Sequence, residues 1–155
     1  MDFEHIDLPG GSLDERQVRR EVERASRNQR PLALIAARVE AATAEDLEAA
    51  TTLLFQQSRD YDGRGRLPEG TLLLLLPEVD LKGGITVAER VRWRARRQAP
   101  EMAPRLRLYV TTLSQQTDPA DGPAFVRSAR DAVELSRRPL EHDRAGLVSW
   151  RMHSA

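Results

Sequence analysis

Apolar positions along this chain follow two rhythms, and the switches between them outline the elements. Leu13, Val18, Val22 and Ala25 recur at helical spacing, after the breaker Pro9-Gly10-Gly11 and the capping box Ser12-Leu13-Asp14-Glu15. That helix is expected to end at Arg30-Pro31. Residues 32–39 then form an almost wholly apolar run with one charge, Arg38, which reads as a buried strand. Thr43-Ala44-Glu45-Asp46 can cap a second helix whose Leu47, Ala50, Leu53 and Leu54 face inward. Residues 61–66 and 71–76 read as a β-hairpin. Pro68 fixes φ at the second turn position, and Gly70 is free to take a left-handed conformation. A third helix is expected over 81–97 along Ile85, Ala88, Val91 and Ala95. An alternating strand is expected over 105–113, a loop over 115–123, a fourth helix around Phe125, Ala129, Ala132 and Val133, and a closing strand over 146–150.

The order helix, strand, helix, hairpin, helix, strand, helix, strand predicts an α+β fold, with helices packed on a mostly antiparallel sheet. The leucines from Leu72 to Leu76 would invite aggregation on an edge strand, so the sequence places that strand inside the sheet. With 155 residues the chain is most economically one domain, with a core of about residues 12–151.

Composition removes several function classes. There is no cysteine, hence no disulfide framework, thiol nucleophile or thiolate metal site. His5, His142 and His153 are scattered without metal-ligand spacing, and no metal is expected. No apolar run approaches the roughly 20 residues of a membrane span, and the acidic start is unlike a secretion signal. A cytoplasmic protein without membrane insertion is therefore expected. The 24 basic and 24 acidic residues cancel, so no global field draws nucleic acid. Nearly all the basic residues are arginine, whose flat forked donors suit phosphates and guanine edges. Arg92-Trp93-Arg94-Ala95-Arg96-Arg97 mixes cations with an aromatic, as single-strand binders do. Spread around a helix, the cluster reads better as a solvated face with one tucked indole. Arg105 and Arg107 alternate with Leu106 and Leu108, as on a half-solvated strand, and Trp150 reads as core or a partner contact.

The hairpin and its surroundings resemble the central part of a diguanylate cyclase domain, the GGDEF family. The residues that carry the likeness are Ile6-Asp7-Leu8, then Arg24-Ala25-Ser26-Arg27 with Arg30-Pro31-Leu32-Ala33-Leu34. Further on come Leu72 to Pro77 with Glu78-Val79-Asp80, Val87-Ala88-Glu89-Arg90-Val91-Arg92 and, less closely, 129–137. The likeness spans nearly the whole chain and implies the family's cyclase palm, a ferredoxin-like core. It also implies two divalent cations held by acidic residues at the hairpin tip and on the first strand. Here those positions are Gly70, Thr71 and Arg38, and neither Glu69 nor Glu40 falls in register. Pro68 and Glu69 stand where the family has tip glycines, and the link from first strand to second helix is short by about three helical turns. The resemblance thus implies a domain without catalytic residues, cofactor or metal.

What the resemblance leaves is the family's inhibitory product site, an arginine and an aspartate three residues apart before the hairpin, matched here by Arg59 and Asp62. Arg90 matches in spacing an arginine on the following helix. A carboxylate can accept from the guanine Watson–Crick edge, and an arginine can donate to O6 and N7. The implied ligand is cyclic di-GMP, bound through Arg59, Asp62 and Arg90, with the signal passed to an unidentified protein partner or to a ligand-linked homodimer. The plainer alternative is a surface ion pair between Arg59 and Asp62, Arg90 on a solvated face, and a ligand-free interaction or dimerisation scaffold.

Overall fold

A computed structural model describes residues 13–113 and 126–127. Its elements are α1 (Glu15–Asn28), β1 (Leu32–Val39), α2 (Ala44–Phe55), β2 (Gly63–Arg66), β3 (Leu72–Pro77), α3 (Leu81–Gln98), a 3-10 turn (Ala103–Arg105) and β4 (Leu106–Thr112). The sheet is antiparallel throughout, in the order β2-β3-β1-β4, so the leucine strand β3 lies inside it as expected. Of the fourth helix only Val126 and Arg127 are described, both helical; the closing strand, Trp150 and the histidines lie outside the described residues.

Side-chain alternation along β1 divides the interior in two. Ala33, Ile35, Ala37 and Val39 join Leu72, Leu74 and Leu76 beneath α2 and α3. Leu32, Leu34 and Ala36 join Leu73, Leu75 and Tyr109 against α1. Both faces of β1 and β3 are therefore apolar, which explains why these two strands read as continuous hydrophobic runs.

The first helix begins later than the sequence suggested. Its N-cap is Asp14, whose Oδ1 accepts from the Gln17 N–H at 2.7 Å. This frees Leu13 to precede the helix as a buried residue beside Val18 in the same cluster, a hydrophobic staple. The Leu13 N–H also donates to the Arg64 carbonyl, on the β2 edge. A Cβ on Gly63 would come within 2.6 Å of Leu13 Cδ1, so a larger residue there would force the Leu13 side chain to shift. Thr43 and Asp46 form the expected capping box of α2, and Gly70 has φ 99° in the hairpin turn.

Two arginine readings need correction. Arg92 does not belong to a solvated face: it is 5% exposed and donates to the Ala103 and Leu106 carbonyls at 3.0 and 2.7 Å. Its position on the α3 side that turns inward is decided by helix rotation over the sheet. The indole beside it is not tucked away; Trp93 is 55% exposed, with the Arg97 guanidinium 4.7 Å above its ring. Arg107 is likewise buried rather than half-solvated, because its guanidinium pairs with Glu40 at 2.7 Å.

Arg105 clamps the short β1–α2 loop. Its Nη1 donates to the Glu40 carbonyl at 3.1 Å and to Asp46 Oδ2 at 2.8 Å. The Arg105 hydrogen bond, helped by the Thr43 N–H, lowers the Asp46 pKa from 3.8 to about 2. A depressed carboxylate contributes stability above its unfolded pKa and loses it as pH falls through the folded value. The stability gap between wild type and Asp46→Asn should therefore be full above pH 3.8 and close as pH falls toward about 2. Urea midpoints across that range measure it; an unchanged gap would refute the assignment.

Candidate functional site

The segment between α2 and β2 is a folded turn made largely from its own polar groups. The Gln57 and Ser58 N–H groups donate to the Leu54 and Phe55 carbonyls, prolonging the helix end. The Asp62 N–H then returns to the Arg59 carbonyl at 3.0 Å, closing a four-residue turn. Asp62 Oδ2 in turn accepts from the Arg59 N–H at 2.7 Å. The two residues close on each other through backbone and side chain alike.

Their side-chain contact is forked. Arg59 Nη2 reaches Asp62 Oδ1 at 2.8 Å, and Nε lies 3.1 Å from Oδ2. The same Nη2 donates to the Pro77 carbonyl at 2.9 Å, tying the turn to the end of β3. The Asp62 side chain is fully buried, whereas that of Arg59 is 39% exposed. Hydrogen bonding to Asp62 holds the guanidinium further above its usual pKa, so Arg59 remains a fixed cation.

Arg59 also lies over the Tyr61 ring, 4.4 Å from the centroid, and that ring is 58% exposed. Arg90 approaches the turn from α3, where its Nη1 donates to Gln57 Oε1 at 3.2 Å. Of the three residues singled out in the sequence, Arg59 and Asp62 contact each other directly, and Arg90 contacts Gln57, two residues before Arg59. Beside Tyr61 is a cavity of about 270 Å³, with Arg24, Arg30 and Pro77 also in its wall.

Sequence reasoning missed Tyr61 and Gln57. An aromatic two residues after an arginine is a weak signal for cation–π contact, and nothing near Gln57 marks it as a partner for α3. The sequence also gave no sign that both Asp62 oxygens would be occupied. In the free chain this carboxylate presents nothing to solvent, so accepting from a base edge requires Arg59 to release it.

At the hairpin tip, the Leu67 N–H donates to the Thr71 carbonyl and the Gly70 N–H to that of Leu67, around Pro68 and Glu69. Among the described residues no three Asp, Glu or His side chains group to hold a metal ion. No helix among them is long and apolar enough to cross a membrane.

The sequence matches no protein-family model and no curated protein. Solved structures do match. The active GGEEF domain of a diguanylate cyclase from Vibrio cholerae aligns over 79% of this chain and 86% of its own, with TM-score 0.63 and 19% identity. The GGDEF domain of DgcB from Caulobacter crescentus, solved in complex with c-di-GMP, aligns over 86% and 94%, with TM-score 0.64 and 10% identity. PelD 158-CT from Pseudomonas aeruginosa PAO1 gives TM-score 0.52 and 22% identity over 88% of this chain, which spans half of that one. The fold is therefore the cyclase palm of GGDEF domains, an α+β architecture with its helices on an antiparallel sheet.

Proposed function

We propose that this chain is a non-catalytic receptor for cyclic di-GMP, binding it at the Arg59–Asp62 turn with Arg90 and passing the signal through protein contacts. The observation that carries this reading is the Arg59–Asp62 fork beside an exposed tyrosine, with Arg90 reaching Gln57 two residues before Arg59. The c-di-GMP complex of a domain with the same fold supports the ligand class. Lack of catalysis is supported by the residues at the tip: Pro68, Glu69, Gly70 and Thr71 offer no carboxylate pair, and Arg38 is a cation.

Binding in this account is an exchange of partners. The Arg59 fork and the Asp62 carboxylate satisfy each other in the free chain. A guanine offers both replacements at once: N–H donors for Asp62 on its Watson–Crick edge, and the O6 and N7 acceptors for Arg59. Among the described residues Arg90 is held by a neutral amide, which it can exchange for a phosphate or a base. The exposed Tyr61 ring gives a second stacking surface.

A ligand-free scaffold is the rival, favoured by one specific observation. Asp62 is buried and both its oxygens are engaged, as in a purely structural staple. Calorimetric titration of cyclic di-GMP against wild type, Arg59→Ala and Arg90→Ala separates the two. The receptor should bind with Kd near or below about 1 µM, some −8 kcal/mol. Both substitutions should weaken it at least about tenfold. No heat with folded wild-type protein would leave the scaffold standing.

A further inference from the structure

The side of the sheet that carries α2 and α3 is divided by charge. α2 holds Glu45, Asp46 and Glu48 and no basic residue, whereas α3 holds Lys82 and five arginines against the single acid Glu89. Asp46 is engaged by Arg105 and Arg92 by main-chain carbonyls, so neither faces outward. The exposed remainder forms two stripes. Glu45, Glu48 and Thr52 recur at i, i+3 and i+7 on α2, and Arg90, Trp93 and Arg97 do the same on α3. Trp93 is 55% exposed in the middle of its stripe, with Arg97 over its ring. Among the described residues no ion pair joins the carboxylates of the first stripe to the cations of the second.

Both helices cover the same core layer, and they run antiparallel. α2 starts where β1 ends and α3 where β3 ends, and those two strands point in opposite directions. The acidic start of α2 and the cationic end of α3 therefore lie at the same end of the sheet, where Arg105 also reaches Asp46. Consider a two-fold axis parallel to the helices, above the groove between them. It lays each α2 on the α3 of a second copy, with the acidic and cationic ends level. Acid then meets base twice, once on each side of the axis, as an isologous contact requires. A tryptophan beside an arginine at the centre is the composition of an interface hot spot.

We propose that the α2–α3 face docks a second copy of this chain, Glu45 and Glu48 of each copy pairing with Arg97 of the other around the two Trp93 indoles. An unrelated acidic protein would answer α3 and leave the α2 carboxylates opposite like charge; a second copy satisfies both helices at once. The 12 residues of α2 limit the contact to about 18 Å along the helices, and two helices side by side span about 20 Å across. That is a small footprint for a specific interface, so the dimer is weak, reversible and sensitive to salt. The contact needs no nucleotide and stands without the reading given above.

The test is sedimentation equilibrium of the nucleotide-free protein at low salt. Wild type should show a monomer–dimer equilibrium with Kd on the order of 10–100 µM, weakened in about 1 M NaCl. Trp93→Ala, Arg97→Glu and Glu48→Arg should each weaken it by about tenfold or more. Mixing the Arg97→Glu chain with the Glu48→Arg chain should restore association, because each then supplies the charge the other face lacks. Neither an unrelated partner nor a local ion pair produces that recovery. All three positions are exposed, and circular dichroism melts report folding for each variant. A wild type that stays monomeric at about 1 mM, indifference to either charge reversal, or no recovery on mixing would each overturn the proposal. Association that appears only with cyclic di-GMP would overturn it too, since the contact would then belong to the Arg59 turn.

Discussion

Leu74→Ala is expected to lower the unfolding free energy by about 2–5 kcal/mol, the usual cost of a large cavity in a sealed core. Leu74 is fully buried at the centre of β3, with Ile35 opposite on β1 and Arg64 opposite on β2. It belongs to the layer that Leu54, Ala88 and Val91 close from above. Strands on both sides fix its backbone, so the gap cannot close by moving β3 inward. The urea midpoint should fall while the m-value stays constant, since the surface exposed on unfolding hardly changes. A loss below about 1 kcal/mol would mean that α2 and α3 settle into the space, and that this layer is softer than its burial suggests.

Arg92→Ala should cost about 2–3 kcal/mol, an unusually large effect for an arginine. Hydrogen bonds from a charged donor contribute about 1.5–3 kcal/mol each, and this side chain makes two to main-chain carbonyls. The Leu106 carbonyl would lose its charged donor, while that of Ala103 would retain the Leu106 N–H. Relief from burying a guanidinium offsets part of the loss, which sets the upper bound. Arg92→Lys should recover little, because an ammonium cannot reach both carbonyls in the fixed fork geometry. Equal stability of Arg92→Lys and wild type would refute the bidentate account.

The strands and most helix boundaries were legible because their signals are local. The five leucines and the apolar run over 32–39 have no polar alternation, and only strands covered on both faces read that way. Thr43 with Asp46, and Pro68 with Gly70, act within a few residues through their own side chains and φ preferences. At the N-terminus the same logic missed by two positions. Ser12 and Asp14 are both good caps, and the choice fell to burial of Leu13 against the core.

The candidate site was half legible. Arg59 and Asp62 could be singled out because three residues bring a forked cation and a carboxylate within reach of each other. That Arg90 reaches Gln57 depends on how α3 lies across the sheet, as does the burial of Arg92 two residues later.

By itself, the sequence determined the α+β element order, the interior place of the leucine strand, and the arginine–aspartate turn before it. Each follows from short-range chemistry: periodicity, capping, φ preference and spacing. Only the tertiary structure decided which charges are buried. Arg107 meets Glu40 across the end of the sheet, Arg92 meets the carbonyls leading into β4, and Asp62 withdraws behind Arg59. The first two pairings join residues from different elements, and a guanidinium in isolation carries no mark of the face on which its backbone will be laid.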